Sequence, residues 1–141
     1  MSEAFRGTIQ LYGARGYQKI RKAKLVIIGV GGVGSWIAES LIRSGAENIT
    51  LVDLDDICTS NINRQVHSTA RNIGQSKIFE MKSRLLEINP TASINCIEDF
   101  FSESTKDKIL TTGIDFVFDG IDSLKSKCCL LYTSDAADDS L

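Results

Sequence analysis

The sequence predicts an α/β protein built as a doubly wound parallel sheet, with strands in the order 3-2-1-4 and the sheet incomplete on its C-terminal side. Three observations carry this. Short apolar runs at 24–28, 48–53, 92–97 and 114–119 alternate with stretches of helical periodicity. A glycine-rich turn, Gly29-x-Gly31-Gly32-x-Gly34, lies between the first run and the first long helical pattern. Acidic residues stand at the carboxyl ends of the runs, at Asp53-Leu-Asp55-Asp56 and at Asp119-Gly-Ile-Asp122. In an open α/β sheet, ligands collect in the crevice outside those ends.

Composition fits one globular domain. The chain has 141 residues, of which 43% are hydrophobic and 24% charged, and its net charge is −2. That balance gives no global attraction for nucleic acid. No apolar run reaches the ~18 residues of a membrane span, and Met-Ser-Glu-Ala-Phe-Arg lacks an apolar signal region, so the expected location is cytoplasmic with no membrane partner. Cys58, Cys96, Cys128 and Cys129 show no Cys-x-x-Cys spacing, which argues against a zinc site and fits reduced thiols.

The elements follow in order. Tyr12, Tyr17 and Ile20 mark a short helical stretch whose cations Arg15, Lys19, Arg21 and Lys22 read as a solvated face, with Arg6 in an irregular lead-in. Residues 24–28 form a buried strand. The glycine turn after it lets a backbone approach a pyrophosphate, and the next helix presents free N–H groups to an anion. This strand–turn–helix context makes the unit Rossmann-like. Val33, Trp36, Ile37 and Leu41 recur at helical spacing, with Trp36 expected to anchor the core and Gly45 to end the helix.

Residues 48–53 complete a βαβ unit. Asp53, 19 residues beyond Gly34, is placed to reach a ribose. After a polar stretch, Thr59-Ser-Asn61-Ile-Asn63-Arg64-Gln65, the segment Gly74-Gln-Ser-Lys77 opens a helix that carries Ile78, Met81, Leu85 and Ile88 and stops at Asn89-Pro90. Arg64 and Lys77 supply more positive charge than a diphosphate needs, which suits a nucleoside triphosphate. Residues 92–97 form a third strand, 102–112 a helix capped by Ser102, and 114–119 a fourth strand with apolar groups on both faces. Asp122 follows it into the crevice, where one carboxylate suffices for a phosphate-bound Mg²⁺. His67, the lone histidine, reads as a structural side chain.

In that order, the glycine turn, Leu51-Val-Asp-Leu-Asp55, Ser60-Asn-Ile-Asn-Arg-Gln65, Gly74-Gln-Ser-Lys77 and Asp119-Gly-Ile-Asp-Ser123 resemble the ThiF/MoeB-type adenylating family, which includes the ubiquitin-activating enzymes. Gly34-Ser-Trp36, Asn63-Arg-Gln-Val-His67 and Leu11-Tyr-Gly13 are most similar to its tRNA threonylcarbamoyladenosine dehydratase branch. The resemblance implies ATP and Mg²⁺ as cofactors and ATP-dependent adenylation of a substrate carboxylate. It implies Gly29, Gly31, Gly32, Gly34, Asp53, Asp55, Asn61, Asn63, Arg64 and Lys77 around the nucleotide. Of these, Gly32 would lie against it, and Asn61, Arg64 and Lys77 at its phosphates. Arg64, Lys77 and Asp122 would carry the chemistry, with Asp122 on the metal.

The implied partners are a second copy in a homodimer and either tRNA or a ubiquitin-like carrier protein as substrate. Relatives reach across the dimer with an arginine, for which Arg6 is an approximate match. Family catalytic domains are longer, so residues 1–128 are expected to be a shortened adenylating domain, inactive alone, and 129–141 a non-native tail. Two other classes stay open. A nicotinamide-dependent oxidoreductase would use the glycine turn and Asp53, and a non-catalytic relative would keep the fold with or without nucleotide.

Overall fold

Strands β1 (Lys24–Ile28), β2 (Asn48–Val52), β3 (Ser93–Ile97) and β4 (Phe116–Asp119) pair in parallel in the order β3-β2-β1-β4, as the sequence predicts. The computed structural model describes residues 3–138. The register sets the last residues level: Ile28 lies opposite Val52 and Asp119, and Val52 opposite Ile97. The four segments that follow the strands therefore emerge together at one end of the sheet.

Helices α1 (Arg6–Lys22), α2 (Gly34–Arg43), α3 (Lys77–Ile88), α4 (Lys106–Ile109) and α5 (Leu124–Asp138) complete the order, with a 3-10 turn at Thr59–Asn61. One core layer packs Ala38 and Ile42 of α2 and Ile78, Met81 and Leu85 of α3 against Leu25, Ile27, Ile49, Leu51 and Ile94. The other face is thinner: Phe101, Ile109 and Leu130 cover Val26, Ile28 and Val52. Glu39 bridges α2 to α3, taking hydrogen bonds from Arg84 and Arg43 at 2.7 and 2.8 Å. Burial alone would raise the Glu39 pKa, but these two guanidiniums bring it below the usual carboxylate range. Gly45 ends α2 with φ 96°, the left-handed conformation expected of it.

Several local expectations are corrected. Arg6 begins α1 rather than preceding it, and the helix kinks at Gly13 (φ 69°, ψ 167°). The buried face of α2 carries Gly34, Ser35, Ala38, Glu39 and Ile42, while Val33 and Trp36 are exposed. Small residues let the first turns of this helix lie close on the sheet, so Val33 and Trp36 turn outward while Ile37, Leu41 and Ile42 pack on the core. Trp36 is 54% exposed and does not anchor the core.

The helix expected over 102–112 shrinks to α4, and Ser102 is not its cap. Ser and Thr side chains here bond to nearby backbone instead: Thr105 Oγ1 accepts from Ser102 N–H and donates to Phe100 O. Strand β4 lies at the sheet edge, where the order 3-2-1-4 places it, and its apolar Phe116 and Val117 are exposed. The expected tail from residue 129 is described through Asp138 as a continuation of α5, and Leu130 packs into the thin layer. Residues 139–141 lie outside the described residues. Among the described residues, no helix is long and apolar enough to cross a membrane.

An unpaired apolar edge is a template for strand addition. The 141-residue chain should therefore self-associate at micromolar concentration, and Val117→Lys should restore monomers in light scattering without changing the circular dichroism spectrum. Equal association by both proteins would place the sticky surface elsewhere.

Candidate functional site

The level strand ends open onto a crevice lined by Gly29 and Gly31 after β1, Asp53 and Asp55 after β2, Asp99, Phe100 and Phe101 after β3, and Gly120 to Ser123 after β4. Lys77, from the start of α3, closes one side. Its floor is a close backbone approach. Gly29 has φ 86°, and a Cβ there would sit 2.5 Å from Gly120 O. A Cβ on Gly34 would run into Gly29 O. Gly31 meets nothing closer than Gln65 Nε2 at 3.8 Å, so its openness leaves the backbone accessible from the crevice.

The carboxylate of Asp53, the residue expected on a ribose, holds the turn together. Oδ2 accepts the Val30 N–H at 2.7 Å, and Oδ1 accepts the Asp55 N–H at 2.9 Å. Asp55 carries an exposed carboxylate instead, and its Oδ2 lies 3.0 Å from Lys77 Nζ. Backbone hydrogen bonds bring these two together across 22 residues of sequence. Gly74 N–H donates to Ile57 O, Ile57 N–H to Gln75 O, and Lys77 N–H to Asp55 O.

Lys77 is the first residue of α3, and its side chain is only 8% exposed. A cation there opposes the helix dipole, and its burial costs solvation. Asp55 offsets part of both.

Gly32, Asn61, Asn63 and Arg64 sit around the crevice rather than in its wall, which Asp122 helps to line. The aliphatic stem of Arg64 covers Gly32, where a Cβ would lie 3.3 Å from Cδ. Gly32 thus supports Arg64 instead of facing the crevice directly. The Arg64 guanidinium donates through Nη1 to Ser60 O at 2.7 Å and Asn63 Oδ1 at 3.1 Å. Asn61 is buried, and its Oδ1 accepts the Cys58 N–H at 2.9 Å, which closes the 3-10 turn. Asp119 pairs with Lys127 at 2.9 Å, whereas Asp122 is exposed and makes no ion pair among the described residues.

Sequence reasoning missed Phe100. It is 59% exposed at the crevice, while Phe101 beside it anchors in the core. Two adjacent aromatics immediately after a strand, one for each side of the chain, were the available signal.

The ThiF family is matched over residues 5–136. The chain belongs to the ThiF family. It is 42% identical over 129 residues to the tRNA threonylcarbamoyladenosine dehydratase of Haemophilus influenzae, covering 92% of this chain and 49% of that protein. The Escherichia coli enzyme of the same name is 39% identical, with 92% and 48% covered. A solved structure of E. coli TcdA in complex with ATP superposes with a TM-score of 0.94 at 36% identity, covering 97% of this chain and 56% of that one. The MOCS3 adenylyltransferase and sulfurtransferase of Drosophila virilis is 32% identical over 84% of this chain. This ThiF-family chain spans about half the length of the dehydratases it matches.

His67 in the ThiF-family chain is buried, and neither ring nitrogen has a hydrogen-bond partner among the described residues. Burial, reinforced by the charges of Lys77 and Arg84, lowers its pKa to about 4. The folded chain keeps it neutral, while the unfolded chain takes up a proton near the ordinary pKa of 6.5. Stability should be level above that value and fall as pH drops towards 4, by about 3 kcal/mol in all. Urea melts of His67→Phe should flatten this fall, because the substitution removes the titrating group and no hydrogen bond. An unchanged slope between pH 6.5 and 5 would assign the acid sensitivity to another group.

Proposed function

We propose that this chain forms the nucleotide-binding portion of a cytosolic, ATP-dependent adenylating enzyme. Its substrate on this reading is the carboxylate of threonylcarbamoyladenosine in tRNA. The observation that carries it is Lys77, a buried cation set against a helix dipole and facing a crevice with an open glycine backbone. Such an arrangement is costly for the fold and fits a ligand bearing several negative charges. A nicotinamide dinucleotide would leave it without a role. The similarity to dehydratases, one of them solved with ATP, supports the same reading.

The residues divide the work as follows. The free N–H groups at Gly31 and the start of α2 receive a phosphate. Asp55, whose carboxylate is exposed, takes the ribose hydroxyls, and Lys77 exchanges its pairing with Asp55 for the outer phosphates. Arg64 swings from the neutral oxygens of Ser60 and Asn63 towards the same phosphates without breaking an ion pair.

Asp122, without an ion pair among the described residues, is a hard-oxygen donor at the crevice and fits Mg²⁺, which commonly takes one or two protein carboxylates and keeps its phosphate ligands. Bound there, the ion would neutralise charge on the leaving pyrophosphate.

In the reaction, a substrate carboxylate oxygen bonds to the α-phosphorus as the bond to pyrophosphate breaks. An internal nucleophile of the substrate then attacks the acyl carbon and expels AMP, closing a ring. The protein's contribution is in-line placement and charge neutralisation.

The whole enzyme on this reading is a homodimer, with Arg6, exposed at the start of α1, reaching towards the partner's nucleotide. On this reading the shortened adenylating domain includes Leu130, which packs on the sheet, and a foreign tail would begin only beyond it, where Leu131 and Tyr132 are exposed. A ubiquitin-like carrier protein is the alternative substrate, favoured by the lower similarity to MOCS3.

Lys77→Ala and Arg64→Ala should each weaken ATP roughly 10- to 150-fold, the value of a charge-assisted contact, and weaken AMP much less. Calorimetric titration checks this, and equal losses for both nucleotides would place the cations elsewhere. Asp122→Asn should abolish the magnesium dependence of ATP binding while leaving the melting temperature unchanged. Undiminished magnesium dependence would remove the metal from Asp122.

A further inference from the structure

Trp36 departs from the usual fate of a large aromatic side chain. It is 54% exposed, yet its indole N–H donates to the backbone carbonyl of Arg64 at 2.8 Å. The neighbouring residue acts on the same loop, since Ser35 Oγ accepts the Val66 N–H at 3.3 Å. Consecutive residues of the first turn of α2 therefore hold the backbone on both sides of Gln65. Below, Gly32 leaves room for the Arg64 stem, whose Cδ a Cβ there would meet at 3.3 Å. The Arg64 backbone and stem are thus fixed to the body that carries the glycine turn, while its guanidinium rests on Ser60 O and Asn63 Oδ1.

We infer that Trp36 is a positioning residue for Arg64, fixing the pivot from which the guanidinium reaches the outer phosphates of a bound nucleoside triphosphate. This rests on the reading that Arg64 acts at those phosphates. Trp36 touches no phosphate itself. Its hydrogen bond removes backbone freedom that Arg64 would otherwise lose on binding, so its effect is confined to ligands that Arg64 contacts. Phe at this position keeps an aromatic ring on the helix and removes only the donor.

The test is calorimetric titration of the 141-residue chain with ATP and Mg²⁺ and separately with AMP, for the unsubstituted protein, Trp36→Phe, Arg64→Ala and the double variant. Trp36→Phe should weaken ATP roughly 2- to 10-fold, the value of one neutral hydrogen bond, and leave AMP unchanged. In the double variant, ATP should bind no more weakly than in Arg64→Ala alone, because the tryptophan acts only through the arginine. The inference is overturned if Arg64→Ala weakens ATP while Trp36→Phe does not. It is also overturned if the two losses multiply, or if AMP weakens equally. Full ATP affinity in Arg64→Ala would instead overturn the phosphate reading of Arg64, and the inference with it.

Discussion

The close approach of three glycines is the constraint on which the rest of the structure depends. Gly29 and Gly120 face each other so tightly that a Cβ on either would lie 2.5 Å from the other's carbonyl oxygen. Gly34 meets Gly29 on the other side. This joins the ends of β1 and β4 to the start of α2, and it decides where the crevice opens. Asp53 secures the turn from the neighbouring strand by accepting the Val30 N–H, while Gly29 N–H donates to Val52 O at 2.8 Å. Backbone and carboxylate together hold the turn on two sides, so the N–H groups beyond it are already oriented for an anion.

Around that frame the charges are unevenly committed. Glu39, Glu47 and Asp119 pair with Arg84, Arg21 and Lys127 and serve to dock helices. Among the described residues, Lys77 and Asp55 pair only with each other, and Arg64 rests on neutral oxygens. The first set stabilises the fold, whereas the second can change partners when a charged ligand enters. That difference separates the proposed nucleotide residues from ordinary surface charge more clearly than their spacing does.

The strands and their order were legible because apolar runs, a glycine turn and crossover rules leave few topologies. The α3 helix was legible from Ile78, Met81 and Leu85, and the end of α2 from Gly45. The burial of α2 was not, because hydrophobic spacing favours Val33 and Trp36 whereas close packing on the sheet selects Gly34, Ser35 and Ala38. The site was half legible. Gly29, Gly31, Asp53, Asp55, Lys77 and Asp122 line the crevice as a group, but spacing cannot tell a carboxylate that holds a backbone from one free for a ligand. The hold of Asp53 on the Val30 N–H was not legible, because that partner lies on a segment brought close by tertiary structure, whereas the bond from the Cys58 N–H to Asn61 closes a local turn.

The most direct measurement is a calorimetric comparison of ATP with Mg²⁺ against NAD⁺ on the 141-residue chain. Both ligands present an adenosine and a diphosphate to the glycine turn, and only ATP offers further phosphates to Lys77 and Arg64. ATP should bind at least about tenfold more tightly, the lower value of one charge-assisted contact. Equal or tighter binding of NAD⁺ would contradict a triphosphate site.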